Sequence, residues 1–100
     1  MAKQQGSLRE RTREFTDFPK NYKVIFHNDD FTTMEFVVRL LVTVFFKSET
    51  EASAIMLEVH EQGKGVAGIY SYDMAVTLTQ KGINMARAHG YPLRITYEPE

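Results

Sequence analysis

The chain has 100 residues, 43% of them hydrophobic, which supports one modest core and is too short for two. Its 12 basic and 13 acidic side chains nearly cancel, so it lacks the positive field that nucleic acid or an anionic membrane normally requires in a partner. Because there is no cysteine, a disulfide framework and a thiolate zinc site are excluded. No apolar run approaches the roughly 20 residues of a membrane span or resembles a signal peptide. We expect a cytoplasmic protein with neither a nucleic-acid nor a membrane partner.

Residues 1–20 differ in character from the rest of the chain. They mix basic and acidic side chains and carry few apolar ones, so burial cannot offset the entropy cost of ordering them. We expect a flexible N-terminal extension over residues 1–20 and a single folded domain over residues 21–100. Composition alone leaves open that the extension is a passive leader.

The folded domain is predicted to begin with a strand and a helix. The β-rich run Tyr22–His27 indicates a strand with one buried face. Thr32 and Glu35 have the spacing of a capping box, in which each side chain bonds the backbone N–H of the other residue. Apolar residues at helical spacing follow, which predicts a helix over about residues 33–46.

A second helix is predicted after a very short link. Ser48 and Glu51 form another capping box, and Gly63 is expected to end this helix in the left-handed conformation. Residues 64–70 then have the composition of a strand, in which glycine lets another backbone come close.

The third helix and the last strand complete the predicted fold. Ser71 can cap a helix that runs to about His89 and stops at Gly90, and residues 93–97 alternate as a strand after Pro92. The order β-α-α-β-α-β predicts a single-domain α+β sandwich, with three strands and three helices on one side.

Candidate ligand-binding residues cluster around the start of the first helix. Asn28, Asp29 and Asp30 place polar acceptors directly before an apolar helix, a junction that suits a ligand cationic at one end and apolar at the other. Helical spacing can bring together residues of both helices of the hairpin, namely Met34, Val37, Met56, Val59 and His60. Taken singly, each has an ordinary structural explanation as a turn, helix-start or core residue.

Three separated motifs occur in register, at residues 28–38, 55–66 and 92–93. Together they closely resemble the ClpS family of adaptors for the ATP-dependent Clp protease, and the similarity covers about residues 22–98 without a gap. The resemblance implies a three-stranded antiparallel sheet packed on three helices, similar to the C-terminal domain of the ribosomal stalk protein.

The resemblance also implies a function. ClpS adaptors recognise N-degrons, which are proteins whose first residue is bulky and apolar, such as Phe, Tyr, Trp or Leu. They hand these proteins to a Clp unfoldase of the AAA+ class for degradation. Such an adaptor modulates a protease without being an enzyme, and it has no catalytic residue and no cofactor. We expect a monomer, because nothing in the sequence indicates a large apolar interface.

By the same resemblance, Asn28 and His60 accept hydrogen bonds from the α-amino group of the ligand, Asp30 holds a water that accepts a third, and Asp29 adds negative potential. The apolar pocket for the first side chain is formed by Thr32, Met34, Val37, Met56, Val59 and Leu93. An α-ammonium group carries three donors and one positive charge, so this set of acceptors suits it.

The start of the third helix is implied as a second interaction surface. Residues 73–78 match the stretch with which family members dock the unfoldase, which assigns Asp73 and Leu78 to that contact. Val76 and Leu78 stand where a glutamate and a lysine are common in the family. The N-terminal extension is implied to engage the pore of the unfoldase during delivery.

Two other classes of function remain open from the residues alone. Asp29, Asp30 and His60 could bind a divalent cation with His27 as a fourth ligand, although we expect no metal site. A scaffolding α+β module would use the same fold without reading an amino terminus. The sequence contains no nucleophile with an adjacent base and no phosphate-binding glycine loop.

Overall fold

The computed structural model describes residues 20–100. The extension predicted for residues 1–20 therefore lies outside the described residues, apart from Lys20. The predicted order of elements is confirmed: β1 (Tyr22–His27), α1 (Met34–Thr43), α2 (Glu49–Gln62), β2 (Lys64–Tyr70), α3 (Tyr72–Ala88) and β3 (Arg94–Pro99). None of the helices in residues 20–100 has the length and apolar character that crossing a membrane requires.

The three strands form one antiparallel sheet in the order β2-β1-β3, so the first strand of the chain lies in the centre. Val24 and Phe26 of β1 are fully buried, and Ile95 of β3 lies opposite Phe26. Because β1 is central and ends at His27, the polar loop that follows begins in the middle of one end of the sheet.

The helices close the core over one face of this sheet. α1 contributes buried residues at the spacing of a single helix face, namely Phe36, Val37, Leu40 and Leu41. α3 packs closely on β3 at Gly82, where an added Cβ would lie 2.7 Å from Cδ1 of Ile95. Ala52 and Val59 are the buried residues of α2.

The start of α1 differs from the predicted capping box. The helix is capped by Thr33, whose Oγ1 accepts a hydrogen bond from the backbone N–H of Phe36 at 3.2 Å. Thr32 does not cap the helix because its hydroxyl and its backbone N–H both donate to the carboxylate of Asp29. The predicted box of Thr32 and Glu35 is therefore wrong by one residue at the cap.

The end of α1 also differs from the prediction. The helix stops at Thr43 rather than at residue 46, and Phe46 has a positive φ of 58°. The backbone N–H of Lys47 then donates to the carbonyl of Leu41 at 3.1 Å, which turns the chain toward α2.

The other helix caps are confirmed. Ser48 and Glu51 form the predicted capping box, and Gly63 ends α2 with a φ of 87°. Ser71 accepts from the backbone N–H of Met74 at the start of α3. The last strand is shifted relative to the prediction, since it begins at Arg94, one residue after the buried Leu93.

The Leu40→Ala variant tests the core. Leu40 is fully buried, so the truncation should lower the free energy of unfolding by about 2–5 kcal/mol through lost burial and a residual cavity. Leu57→Ala is the matched control, because Leu57 on α2 is 48% exposed and should change the value by less than about 0.5 kcal/mol. Urea denaturation measures both, and equal losses would contradict this description of the core.

Candidate functional site

The candidate site lies where the end of β1, the start of α1 and the end of α2 meet. The backbone N–H of Asn28 donates to the carbonyl of Gly63 at 2.9 Å. Because Gly63 follows His60 by only three residues, this bond brings the loop after β1 next to the last turn of α2. Residues 28–32, which form that loop, are called the acceptor loop below.

Eight residues from these elements enclose a cavity of about 100 Å³, here called the site cavity: Asn28, Asp29, Thr32, Met34, Val37, Met56, Val59 and His60. Polar groups of the acceptor loop and of His60 line one part, and apolar side chains of α1 and α2 line the rest. The volume of this cavity is of the same order as the roughly 150 Å³ of an enclosed cavity that admits benzene, so the site cavity is on the scale of one side chain rather than of a whole peptide.

The structure places the remaining two residues of the predicted site elsewhere. Asp30 is exposed on the acceptor loop, beside the site cavity but not among the residues that line it. Leu93 is 1% exposed and belongs to the hydrophobic core. The core and the cavity are continuous, because Val37 and Val59 belong to both.

Asp29 holds the acceptor loop in shape. Its Oδ1 accepts hydrogen bonds from the backbone N–H groups of Phe31 at 2.8 Å and Thr32 at 2.7 Å, and its Oδ2 accepts from the hydroxyl of Thr32 at 2.7 Å. Burial raises the pKa of the Asp29 carboxyl, but these hydrogen bonds outweigh that effect and lower the pKa overall. A negative charge is therefore maintained at the cavity. The same hydrogen bonds show Asp29 in the turn-forming role that the sequence analysis gave as the ordinary structural explanation of this stretch.

The apolar part of the site cavity has a rigid side and an adaptable side. Val37 and Val59 are almost fully buried and stiff at χ1. Met34 is 44% exposed and Met56 is half-buried, and both have flexible thioether side chains that can adjust to what they contact. The methionines are thus the lining residues that can change shape.

A second depression adjoins the site cavity and was not predicted. It has a volume of about 290 Å³ and is lined by Met34, Glu35, Val38 and Met56. We call it the methionine shelf. The four-residue spacing of Met34 and Val38 indicates that they share one face of α1, but the place of Met56 beside them depends on how α2 packs.

The alternative metal site would require His27 beside the acceptor loop. Instead, Nε2 of His27 lies 2.7 Å from Oγ1 of Thr96 on the neighbouring strand. Burial lowers the pKa of the His27 imidazole, and the nearby charges of Arg94 and Lys64 lower it further. In residues 20–100, the structure shows no group of three or more His, Cys, Asp or Glu side chains arranged for a metal ion.

The two residues assigned to unfoldase docking have different surroundings. Asp73 is exposed in the first turn of α3. Leu78 is 4% exposed and packs in the hydrophobic core. A residue so buried has almost no surface to offer a partner, so the assignment of Leu78 to the docking contact is corrected to a core role.

The chain matches one protein family over most of its length. The family model described as ATP-dependent Clp protease adaptor protein ClpS matches residues 17–96. The chain belongs to the ClpS family. The ClpS adapter protein of Desulforapulum autotrophicum is 44% identical, with both chains covered completely. The ClpS adapter protein of Myxococcus xanthus is 54% identical over 82% of this chain and 77% of its own length.

A solved ClpS structure has the same architecture. ClpS2 from Agrobacterium tumefaciens, bound to L-phenylalaninamide, superimposes with a TM-score of 0.79 and is 37% identical. The match covers 83% of this chain and all of that one. The predicted α+β fold and the predicted family are both confirmed.

The Asp29→Ala variant tests the role of Asp29 in the acceptor loop. Loss of its three hydrogen bonds should lower the free energy of unfolding by about 1 kcal/mol, a modest value because the loop is partly exposed to water. Asp30→Ala, on the same loop, is the control and should have little effect.

The same variant has a predicted pH dependence. Because the folded-state pKa of Asp29 lies below its ordinary value of 3.8, the stabilisation is complete above that value and is lost as the pH falls through the folded-state pKa. The difference between wild type and Asp29→Ala in urea denaturation should therefore be full at pH 6 and smaller at pH 3. A difference that grows on acidification would contradict the assignment.

Proposed function

We propose that this protein is a Clp protease adaptor that binds polypeptides by a free amino terminus with a bulky apolar first residue and delivers them to a Clp unfoldase. The observation that carries the proposal is the site cavity, which is about the size of one side chain and is lined by both hydrogen-bond acceptors and apolar side chains. The binding step requires no catalytic group, so the proposed role is non-catalytic. Since the protease depends on ATP, the proposed location is the cytoplasm.

The polar part of the site cavity suits an α-ammonium group. In the proposal, Asn28 and His60 each accept one of its three hydrogen bonds, and exposed Asp30 accepts the third through a water. The ionised carboxylate of Asp29 supplies a neighbouring negative charge. A mid-chain peptide N–H has a single donor and no charge, so it would pair with only one of these acceptors and would gain no attraction from Asp29.

The apolar part suits the first side chain. Burying a Phe side chain removes about 150–250 Å² from water, which favours binding by roughly 4–6 kcal/mol before the entropy cost of association. The net affinity should therefore be moderate, roughly micromolar or somewhat tighter. Met34 lines the cavity and is 44% exposed. In the proposal it packs beside the Cβ of the first residue, where the second branch of Val or Ile would crowd it.

The ligand of the related structure supports this reading. L-phenylalaninamide, bound by ClpS2 of Agrobacterium tumefaciens, is a single Phe residue with a free α-amino group and an amide in place of the following chain. It therefore presents the two chemical features for which the site cavity is proposed. Leu93, which lies in the core, would support the apolar wall from behind rather than line it.

Delivery requires a separate contact with the unfoldase. Asp73 is proposed to contribute to it, because it is exposed in the first turn of α3. Leu78 is buried and takes no part, so the contact must use other exposed residues around the start of α3.

A peptide with Phe as its first residue should bind, and its N-acetylated form should not. Acetylation removes the positive charge and two of the three donors that the acceptors require. Fluorescence polarisation with peptides that differ only at the first residue measures this, and binding should fall by at least about a hundredfold, or roughly 2.7 kcal/mol. Undiminished binding of the acetylated peptide would contradict recognition of the terminus.

Peptide binding and elemental analysis together separate the alternative functions. A scaffolding module would bind neither peptide. A metal site would show stoichiometric metal in elemental analysis of the purified protein, and chelation would change its properties. A panel beginning with Phe, Tyr, Trp, Leu, Val and Ala ranks the first residues and includes the β-branched case that Met34 is proposed to reject.

The Asp73→Arg variant tests the docking contact. Charge reversal should reduce degradation of a Phe-initiated substrate by the Clp protease by about tenfold or more, because like charges across an interface cost several kcal/mol. Peptide affinity should stay within about twofold of wild type. Glu49→Arg is the matched control, since Glu49 is exposed in the first turn of α2. If the substrate is degraded at the same rate with Asp73→Arg as with Glu49→Arg, Asp73 is not part of the contact.

A further inference from the structure

The methionine shelf is continuous with the site cavity. Met34 and Met56 line both depressions, so each methionine is part of a shared wall between them. The shelf adds Val38, which is half-buried, and Glu35, which is exposed. It offers an apolar surface that the first residue of a ligand cannot occupy while its side chain fills the site cavity.

The direction of a bound polypeptide follows from the position of the acceptors. Met56 precedes His60 by one turn on α2, and Val38 follows Met34 by one turn on α1. Because the cavity joins the start of α1 to the end of α2, both steps lead away from the acceptor loop. A ligand with its amino group at Asn28 and His60 and its first side chain in the site cavity has its carbonyl in a third direction, away from the acceptor loop. The methionine shelf is the apolar surface that adjoins the cavity on that side.

The length of the shelf along α1 suits the third residue of an extended chain, because the shelf reaches from the shared Met34 to Val38. Side chains of an extended chain point alternately to opposite faces, so the first and third lie on the same face about 6.6 Å apart. Four residues along an α-helix, the step from Met34 to Val38, cover about 6 Å. The second side chain of the ligand points away from the protein, and the third falls over the shelf.

We propose that the methionine shelf binds the side chain of the third residue of the N-degron, with a preference for apolar side chains. This inference rests on the proposed function. The shelf is lined by two flexible thioethers, so it accepts several shapes, such as Leu, Met and Phe, rather than one. The third residue thereby tunes affinity among substrates that share the same first residue.

Three peptides test the register on the unmodified protein. They begin Phe-Ala-Ala, Phe-Ala-Leu and Phe-Leu-Ala and are otherwise identical, so the last two are isomers with the same net charge. Fluorescence polarisation should show that Phe-Ala-Leu binds about fivefold more tightly than Phe-Ala-Ala, which corresponds to about 1 kcal/mol. Phe-Leu-Ala should stay within about twofold of Phe-Ala-Ala, because its leucine points to solvent. The first three side chains of each peptide are uncharged, so no charge interaction with the Glu35 carboxylate contributes to the comparison.

Two variants assign the preference to the shelf. Val38→Ala should reduce the ratio between the Phe-Ala-Leu and Phe-Ala-Ala affinities from about fivefold to below about twofold. Val42→Ala is the matched control, because Val42 is also a half-buried valine of α1 that packs against the core but does not line the shelf. It should keep the full ratio, and urea denaturation checks that both variants are folded.

The possible outcomes separate this inference from the function on which it rests. Equal affinities of all three peptides, or a gain for Phe-Leu-Ala instead of Phe-Ala-Leu, would overturn the third-residue site while leaving recognition of the terminus intact. Loss of the ratio in Val42→Ala as well would also overturn it. If no peptide with a free terminal Phe binds, the proposed function itself fails.

Discussion

One backbone hydrogen bond sets the geometry of the site. The N–H of Asn28 donates to the carbonyl of Gly63, which joins the end of the central strand to the end of α2. Gly63 can present that carbonyl because its φ of 87° lies in the left-handed region, where a residue with a Cβ would be strained. The bond brings the acceptor loop to His60, although 27 residues, 33–59, lie between them in the chain. The bond thereby links the part of the cavity formed by the acceptor loop and α1 to the part formed by α2.

Some polar groups of the acceptor loop hold the loop in shape, and others are accessible to a ligand. Asp29 accepts three hydrogen bonds from Thr32 and Phe31, which occupy most of its acceptor sites, so its main contribution to a ligand is its charge. The backbone N–H of Asn28 bonds within the fold, whereas Asn28 is itself exposed and lines the cavity, so its side chain is accessible to a ligand. These internal hydrogen bonds hold the loop in shape, so a ligand does not have to bear the entropy cost of ordering it.

Core and cavity share side chains, so stability and recognition are coupled at these positions. Val37 and Val59 pack in the core and also line the cavity, and substitutions there should affect both properties. The methionines lie on the solvent side, where they can move without disturbing the sheet. The buried valines form a rigid part of the cavity, and the exposed methionines form a part that can adjust. This combination suits an adaptor that binds several bulky apolar residues but must release them to the unfoldase.

The order of elements and most helix caps could be predicted from the sequence because they follow from local spacing. The eight residues that line the cavity were also predicted, from spacing and from motifs that resemble a family, together with Asp30 and Leu93, which do not line it. The prediction misplaced the cap of α1, since Thr32 and Thr33 are equivalent until Asp29 binds one of them. It assigned Leu78 to a surface, because the face of a helix that is buried depends on what packs against it. The methionine shelf also emerged only from the tertiary structure. A depression exists between side chains of two helices, and its size depends on how closely they pack, which no spacing along one chain specifies.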